Sequence, residues 1–504
     1  MIFMGGPMNC QIGNDKINIY KYHHNSGNRF SIECVSLVEV FDAFVKKCFS
    51  GLLIYYNSLY NLPFDAVGMK IKRRLGLSYL NRDAMFSSDI SLSNMPKSSI
   101  LFLGMLFKVL LSSIPSGSPE TYKLIVRDIQ SDDELDRLRP LLNRFDNNEV
   151  LLLVECNLKN KYPFKIVRDV NFNNYLTSLS MRTALIELLV GFPYYVFLSI
   201  ISKINVFHFT TRVINDYLRY SSLFTHYKSD YLFTERCIKI SPLQRCLFHQ
   251  SGGKKTLTVQ KSLLAADQTS FYYNVDCFFS LGESTAKRAL KYGGNIGEII
   301  PTGSIFSYQR LPINYKHDLV DNTHPKYDLV LIGMNVMNNY SRFDTHDSFL
   351  DEYYSSISWL DKLKLAHPHM RIAIKHHSSA SHDTYEDKIF NNSDVEFIEK
   401  DINSYSVAFN SKVVVTYGST MGYEMLALGK PCLFLDPRCG NIFIDDCGER
   451  AEIDRYRCKT YKEFEAMAVQ LIESGGKSVD MDMSKICLPA DGVFERINEY
   501  FDNQ

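Results

Sequence analysis

The chain has 504 residues, and its 56 basic and 56 acidic side chains balance to a formal net charge of zero. A composition of 45% hydrophobic and 22% charged residues is that of an ordinary globular protein and excludes extensive intrinsic disorder. Zero net charge supplies no general drive toward nucleic acid, and at roughly 150 residues per domain the length suggests two large domains or three small ones.

Residues 1–95 yield no assignable element, and the opening MIFMGGPMNCQIGNDK lacks the basic and apolar regions of a signal peptide. Twelve cysteines are scattered without a CxxC pair, which reads as free thiols in a reducing cytoplasm and gives no zinc site. Two apolar segments follow, Ser98 to Pro115, which carries Lys108, and Leu188 to Ser202, which is uncharged but contains Pro193. Both fall short of the roughly 20 residues of a spanning helix. They read as buried core elements, with peripheral contact on the inner face of the plasma membrane as the open alternative.

In the N-terminal half, apolar runs predict strands over 122–128, 149–155, 230–235, 255–260 and 276–282. A helix is expected from Ser131, with Glu134 three residues on completing a capping box. Further helices are expected within 176–225 and over 284–292. The polar stretch 306–326 contains two prolines and reads as a linker between domains at 1–305 and 327–504. Beyond it, strands over 327–333, 371–377, 395–400, 412–419 and 431–436 alternate with helices over 347–365, 382–390, 403–410, 420–430 and 461–474. Short apolar strands alternating with helices predict an α/β fold of two doubly wound, Rossmann-like parallel domains. The strand carboxyl ends would face a central cleft, with the terminal helix free to cross back to the first domain.

The most informative stretch is VVVTYGSTMGYEMLALGKPCLFLDP, residues 413–437. A buried strand ends at Tyr417, Gly418 permits a tight turn, and Ser419 and Thr420 stand at the start of a helix. Exposed backbone N–H groups, two hydroxyls and the positive helix end together can cradle a phosphate. Glu424, one turn further in, could accept hydrogen bonds from ribose hydroxyls. On geometry alone, an ordinary Ser/Thr-capped helix of an α/β protein has the same appearance.

The second stretch is RIAIKHHSSASHD, residues 371–383. Lys375, His376 and His377 follow a strand at its carboxyl end, where a cation and ring N–H donors suit a phosphate or diphosphate, and Ser378 and Ser379 add hydroxyls. Metal ligation by His376, His377 and His382 is disfavoured because adjacent histidines on a strand point opposite ways. No cofactor is called for.

Strand, Lys-His-His, helix, short strand, then Gly-Ser-Thr-x-x-x-Glu-x-x-x-x-Gly-Lys-Pro resembles the donor domain of GT-B glycosyltransferases. It is most similar to those of bacterial surface-polysaccharide assembly, which include capsule and lipopolysaccharide Kdo transferases, sialyltransferases and glycerol-phosphate polymerases. The resemblance implies nucleotide contact by Lys375 with His376 or His377, and phosphate contact by Ser419 and Thr420. Ser378 stands where these families carry a proline. Likewise Gln260-Lys261-Ser262 stands where Gln-His-Gly is common. The resemblance covers roughly residues 230–475.

It further implies transfer of a sugar from a nucleotide-activated donor, CMP-linked by preference, to a growing surface polysaccharide or lipid-linked oligosaccharide. Such enzymes commonly work without bound metal, since helix dipole and basic side chains neutralise the leaving phosphate. The catalytic group is expected from the N-terminal side, with Glu235 and Glu155 at strand carboxyl ends first and Asp128 third. Each glutamate equally reads as a surface residue capping its strand. Asn335 and Arg342, after the first strand of the second domain, could touch donor or acceptor. A CDP-glycerol or CDP-ribitol transferase, a sugar-nucleotide epimerase and a catalytically silent glycan-binding scaffold stay open.

Overall fold

The computed structural model of the chain describes residues 9–12, 15–18, 45, 49–71, 91–114, 118–169, 176–202, 204–236, 239–261, 273–291, 294–311, 325–333, 346–377, 388–390, 393–417, 419–437, 453–476 and 482–504. Strands β1 (Asn9–Ile12) and β2 (Asp15–Asn18) pair as an antiparallel hairpin. The rest of the strands fall into two wholly parallel sheets.

The first sheet holds β3 (Glu120–Ile129), β4 (Val150–Val154), β5 (Lys165–Arg168), β6 (Tyr227–Thr234), β7 (Lys255–Val259), β8 (Asn274–Ser280) and β9 (Asn295–Pro301). Their order across the sheet is β5-β4-β3-β6-β7-β8-β9. The second holds β10 (Tyr327–Ile332), β11 (Ile372–Lys375), β12 (Glu396–Ile398), β13 (Ser411–Thr416), β14 (Cys432–Leu435) and β15 (Arg457–Cys458), in the order β12-β11-β10-β13-β14-β15. Each sheet starts in its middle, winds to one edge, and returns to the other side of its first strand. That is the doubly wound, Rossmann-like order, and it leaves one switch point per sheet where successive connections leave on opposite faces. The switch points lie between β3 and β6 and between β10 and β13.

The central strands are apolar on both sides because both faces are covered. In β4 all five residues of VLLLV are buried. Leu151 and Leu153 join one core, and Val150, Leu152 and Val154 the other, as the two-residue side-chain period requires. The first core is closed by the helices at 49–60, 64–71, 95–110, 178–202, 207–226 and 242–250; the second by the helix Asp132–Leu142 and by the terminal helix Val493–Asp502. The chain thus returns at its end to the first domain, through Val493, Phe494, Ile497 and Phe501.

Several features differ from the sequence reading. Strands β5 and β9 were not foreseen because β5 is a largely exposed edge and β9 carries Gly297 and ends in Pro301, so neither shows a continuous apolar run. The stretch read as a linker begins as a helix, Ile305–Arg310, capped by Ser304 Oγ accepting from Ser307 N at 3.1 Å. The capping box at Ser131 is only half formed. Ser131 Oγ accepts from Glu134 N, while Glu134 Oε2 accepts from Gln130 N at 2.6 Å, one residue earlier than expected. Finally, 188–202 is a core element on one face only. It belongs to one helix, Ser178–Ser202, which buries Tyr195 and Ser199 but turns Leu189, Val190, Phe197, Ile200 and Ile201 outward.

Candidate functional site

At the second switch point, Tyr417 is buried and Ser419 caps the helix Thr420–Ala427, its Oγ accepting from Met421 N at 3.3 Å. Ser419 N in turn donates to Thr416 Oγ1 on β13 at 3.3 Å. Gly422 brings this helix against the sheet, since a Cβ there would stand 2.6 Å from Phe434 Cε1 and 2.8 Å from Thr416 Cγ2. Gly333, ending β10, donates its N–H to Lys375 O at 2.9 Å, joining the ends of β10 and β11. Gly418, Asn335 and Arg342, all named from the sequence, lie outside the described residues.

Lys375, His376 and His377 follow one another at the end of β11. Lys375 is buried, its Nζ donating to the carbonyls of His376 at 2.6 Å and Lys400 at 3.0 Å. Burial lowers its basicity. The His376 ring lies over Phe397, centroids 5.5 Å apart. His377 is exposed at its outer face, and its basicity is lowered by partial burial and then by the nearby Lys375 and Arg310.

Glu424 is buried and already engaged. The Tyr405 hydroxyl donates to its Oε2, and the hydroxyls of Ser304 and Ser307 stand near enough to the carboxylate to favour its ionised form. Burial nevertheless raises its pKa. Rather than facing outward for a ribose, Glu424 fastens the helix Thr420–Ala427 to the helix Ile305–Arg310 of the first domain.

At the first switch point stand the ends of β3 and β6. Asp128 adopts φ +62° where the β3 register shifts against β4, a backbone conformation rare for a residue with a side chain. It accepts from Arg127 Nη2 at 3.0 Å and Thr234 Oγ1 at 3.2 Å. Glu235, directly after β6, is only 4% exposed, which overturns its reading as a surface strand cap. Its Oε1 lies 3.8 Å from Arg137 Nη1, and its Oε2 has no hydrogen-bond partner among the described residues. Burial pushes its carboxyl up to about 7, against the opposing pull of Arg137. Glu155 ends β4, one strand away from the switch point, and its half-buried carboxylate accepts from Gln130 Nε2 at 2.5 Å. Of the two named glutamates, Glu235 is the one that stands buried at the switch point.

The structure adds residues that sequence reasoning missed. Arg137 lies with its guanidinium 4.2 Å above the Phe306 ring and donates from Nε to Gln309 Oε1 at 2.9 Å. Lys261 Nζ lies 5.4 Å from the same ring. Arg310 ends the helix that begins beside Phe306, close enough to act electrostatically on Arg137, His377 and Glu424. Glu235, Arg137 and the helix Ile305–Arg310 therefore form one connected path from the first switch point to Arg310, which acts electrostatically on His377 of the second domain. A sequence signal existed for that helix: Thr302-Gly303-Ser304 after β9 repeats the strand–Gly–Ser pattern of Tyr417-Gly418-Ser419. Gln260, the position this chain shares with the Gln-His-Gly pattern, has a structural role, for its Oε1 accepts from Leu281 N at 2.9 Å. Among the described residues, no group of three His, Cys, Asp or Glu side chains is placed to hold a metal ion.

No protein-family model and no curated relative matches the chain. Solved structures that it resembles include UDP-GlcNAc 2-epimerase from Neisseria meningitidis bound to UDP-GlcNAc, at 13% identity over 76% of this chain and 100% of that one, TM-score 0.43. MurG from Acinetobacter baumannii matches at 9% identity over 76% and 100%, TM-score 0.39. The wall teichoic acid polymerase TagF matches at 9% identity over 82% and 98%, TM-score 0.39. These neighbours are GT-B glycosyltransferase-like proteins at low identity; the functional reading of this chain rests on its own residues.

Proposed function

We propose that the chain is a glycosyltransferase of GT-B type. The donor nucleotide sits at the second switch point, against Ser419, Thr420 and His377, and the acceptor hydroxyl approaches Glu235 at the first. The observation that carries this reading is Glu235: a buried carboxylate at a switch point, one oxygen unpartnered, joined through Arg137 to the helix Ile305–Arg310, whose Ser307 reaches Tyr405 of the other domain.

In the transfer, the acceptor oxygen bonds to the anomeric carbon as the bond from that carbon to the donor phosphate oxygen breaks. Glu235 takes the hydroxyl proton, a task suited to a carboxylate poised near neutrality. The charge left on the phosphate is met by the helix end at Ser419 and Thr420 and by Arg310. A CMP-linked donor is favoured by the resemblance of the Lys375-His376-His377 and Ser419-Thr420 pair, and a surface polysaccharide or lipid-linked oligosaccharide is the corresponding acceptor.

Incubation with a panel of CMP-, CDP-, UDP- and GDP-linked donors, with free nucleotide as readout, tests this reading. Release by the wild type, lost in Glu235→Gln and retained in Glu155→Gln, is expected. Release that survives Glu235→Gln unchanged would remove Glu235 from the chemistry. No release from any donor would favour the silent scaffold.

A further inference from the structure

We infer that the helices Met95–Leu110 and Ser178–Ser202 form a bilayer-docking surface on which the protein lies without spanning the membrane. The 25-residue helix Ser178–Ser202 is inverted relative to a helix of a soluble core. Its fully buried stripe is small or polar apart from Tyr195: Ser180, Ala184, Glu187, Gly191, Tyr195 and Ser199 are buried, while Leu188, Phe192 and Leu198 are only half-buried against the core. Its outer stripe is large and apolar: Leu185, Leu189, Val190, Phe197, Ile200 and Ile201 are all exposed, Leu189 at 65% and Ile201 at 63%. Only 28% of its most apolar stretch is buried.

The neighbouring helix extends the surface. Met95–Leu110 packs beside Ser178–Ile186 over the same core, through Phe102, Leu106 and Val109. It turns outward Ile100 and Leu101, with Leu111 just beyond it at 85% exposed. An exposed apolar face of this extent calls for a covering partner.

Charge selects which partner. Neither helix exposes a carboxylate, because Glu187, the one acidic residue in either, is buried. The exposed charges on the two helices are Lys97, Lys108 and Arg182. Large apolar side chains with an exclusively cationic fringe match an anionic lipid surface, and a second copy of this like-charged face would repel it.

The inner stripe decides between lying on the bilayer and crossing it. Glu187 accepts from the hydroxyls of Tyr60 at 2.5 Å and Tyr195 at 2.6 Å, Ser180 bonds to Ser222, and Ser199 Oγ accepts from Val206 N at 3.1 Å. These polar contacts tie the helix to the domain along its whole length, and crossing would strip them into hydrocarbon. The inference is independent of the proposed chemistry.

Flotation of the full chain with phosphatidylcholine vesicles, with and without phosphatidylglycerol, tests it. Wild type is expected to float, and more strongly with the anionic lipid. Leu189→Asp/Phe197→Asp/Ile201→Asp should weaken binding by at least about tenfold, since three large side chains leave the interface. Phe197→Ser/Ile201→Ser serves if the triple variant misfolds, and Lys97→Glu/Lys108→Glu should abolish the preference for anionic lipid. Wild type remaining unbound with both vesicles, or binding unchanged in the apolar variants, overturns the inference. Light scattering that shows a dimer dissociated by those variants, without vesicle binding, assigns the surface to a second copy instead.

Discussion

Arg137 holds one oxygen of Glu235 at 3.8 Å while the other oxygen has no hydrogen-bond partner among the described residues. Burial raises this carboxyl to about 7 and Arg137 pulls against the rise, so ionisation at neutral pH depends on the cation. If Glu235 is the base, kcat/KM climbs as pH passes about 7 and levels off above it. Glu235→Gln should lower turnover by about 100-fold or more with the fold intact. Arg137→Met removes the charge together with the guanidinium that lies over Phe306, so the rising limb moves to higher pH. A rate profile that stays in place in Arg137→Met contradicts the pairing.

Gly422 is where the helix Thr420–Ala427 touches the sheet. A methyl there meets Phe434 and Thr416 at distances below van der Waals contact, and neither neighbour has open space to move into because both are buried. Gly422→Ala should destabilise the protein by about 1–3 kcal/mol and lift Ser419 from its position near Thr416. Urea unfolding reads the first effect and nucleotide affinity the second. A neutral Gly422→Ala would mean that the helix approach is loose.

Glu187 gives the protein a pH-dependent stability unrelated to chemistry. Burial raises its carboxyl to about 7, and the surrounding Tyr55, Tyr56, Tyr60 and Tyr195 keep their protons far above neutrality. With the folded pKa above the unfolded one, the stabilisation is full below the unfolded value and is lost as pH rises through about 7. The loss amounts to up to about 3 kcal/mol. Glu187→Gln, which still accepts from the tyrosines, should flatten this dependence in urea midpoints measured between about pH 5 and 8. An identical slope in wild type and variant would place the dependence elsewhere.

Tyr405 donates to Glu424 and accepts from Ser307 Oγ at 3.3 Å, bridging the two domains. Tyr405→Phe leaves a buried carboxyl short of one donor and should cost about 1–3 kcal/mol. In the Glu424→Gln background the same change should cost less, because no charge is left behind. Additive losses in thermal unfolding would show that the two side chains act separately.

Much of the second domain was legible because its strands are buried on both faces. Apolar runs such as YDLVLIG and KVVVT need no partner information to be read, and Gly-Ser-Thr after the run marks the helix start. Glu235 was legible as a strand end, but its burial was not, for that depends on Arg137 and Phe306, which only the tertiary structure brings near. Glu424 was read toward a ribose because its partners Ser304 and Tyr405 belong to distant elements. The helix Ser178–Ser202 misled for a different reason. Its apolar residues look alike facing in or out, and the signal was the small and polar stripe from Ser180 through Glu187 and Gly191 to Ser199.

The central claim is that a nucleotide binds at the start of the helix Thr420–Ala427. Thermal unfolding with CMP, CDP, UDP, GDP and ADP tests it on wild type and on Ser419→Ala/Thr420→Ala, each referred to its own ligand-free midpoint because removing the cap costs about 1 kcal/mol. A nucleotide at 100 times its Kd should stabilise wild type by about 2.7 kcal/mol and the variant by far less. No stabilisation by any of the five, or equal stabilisation of both proteins, would contradict it.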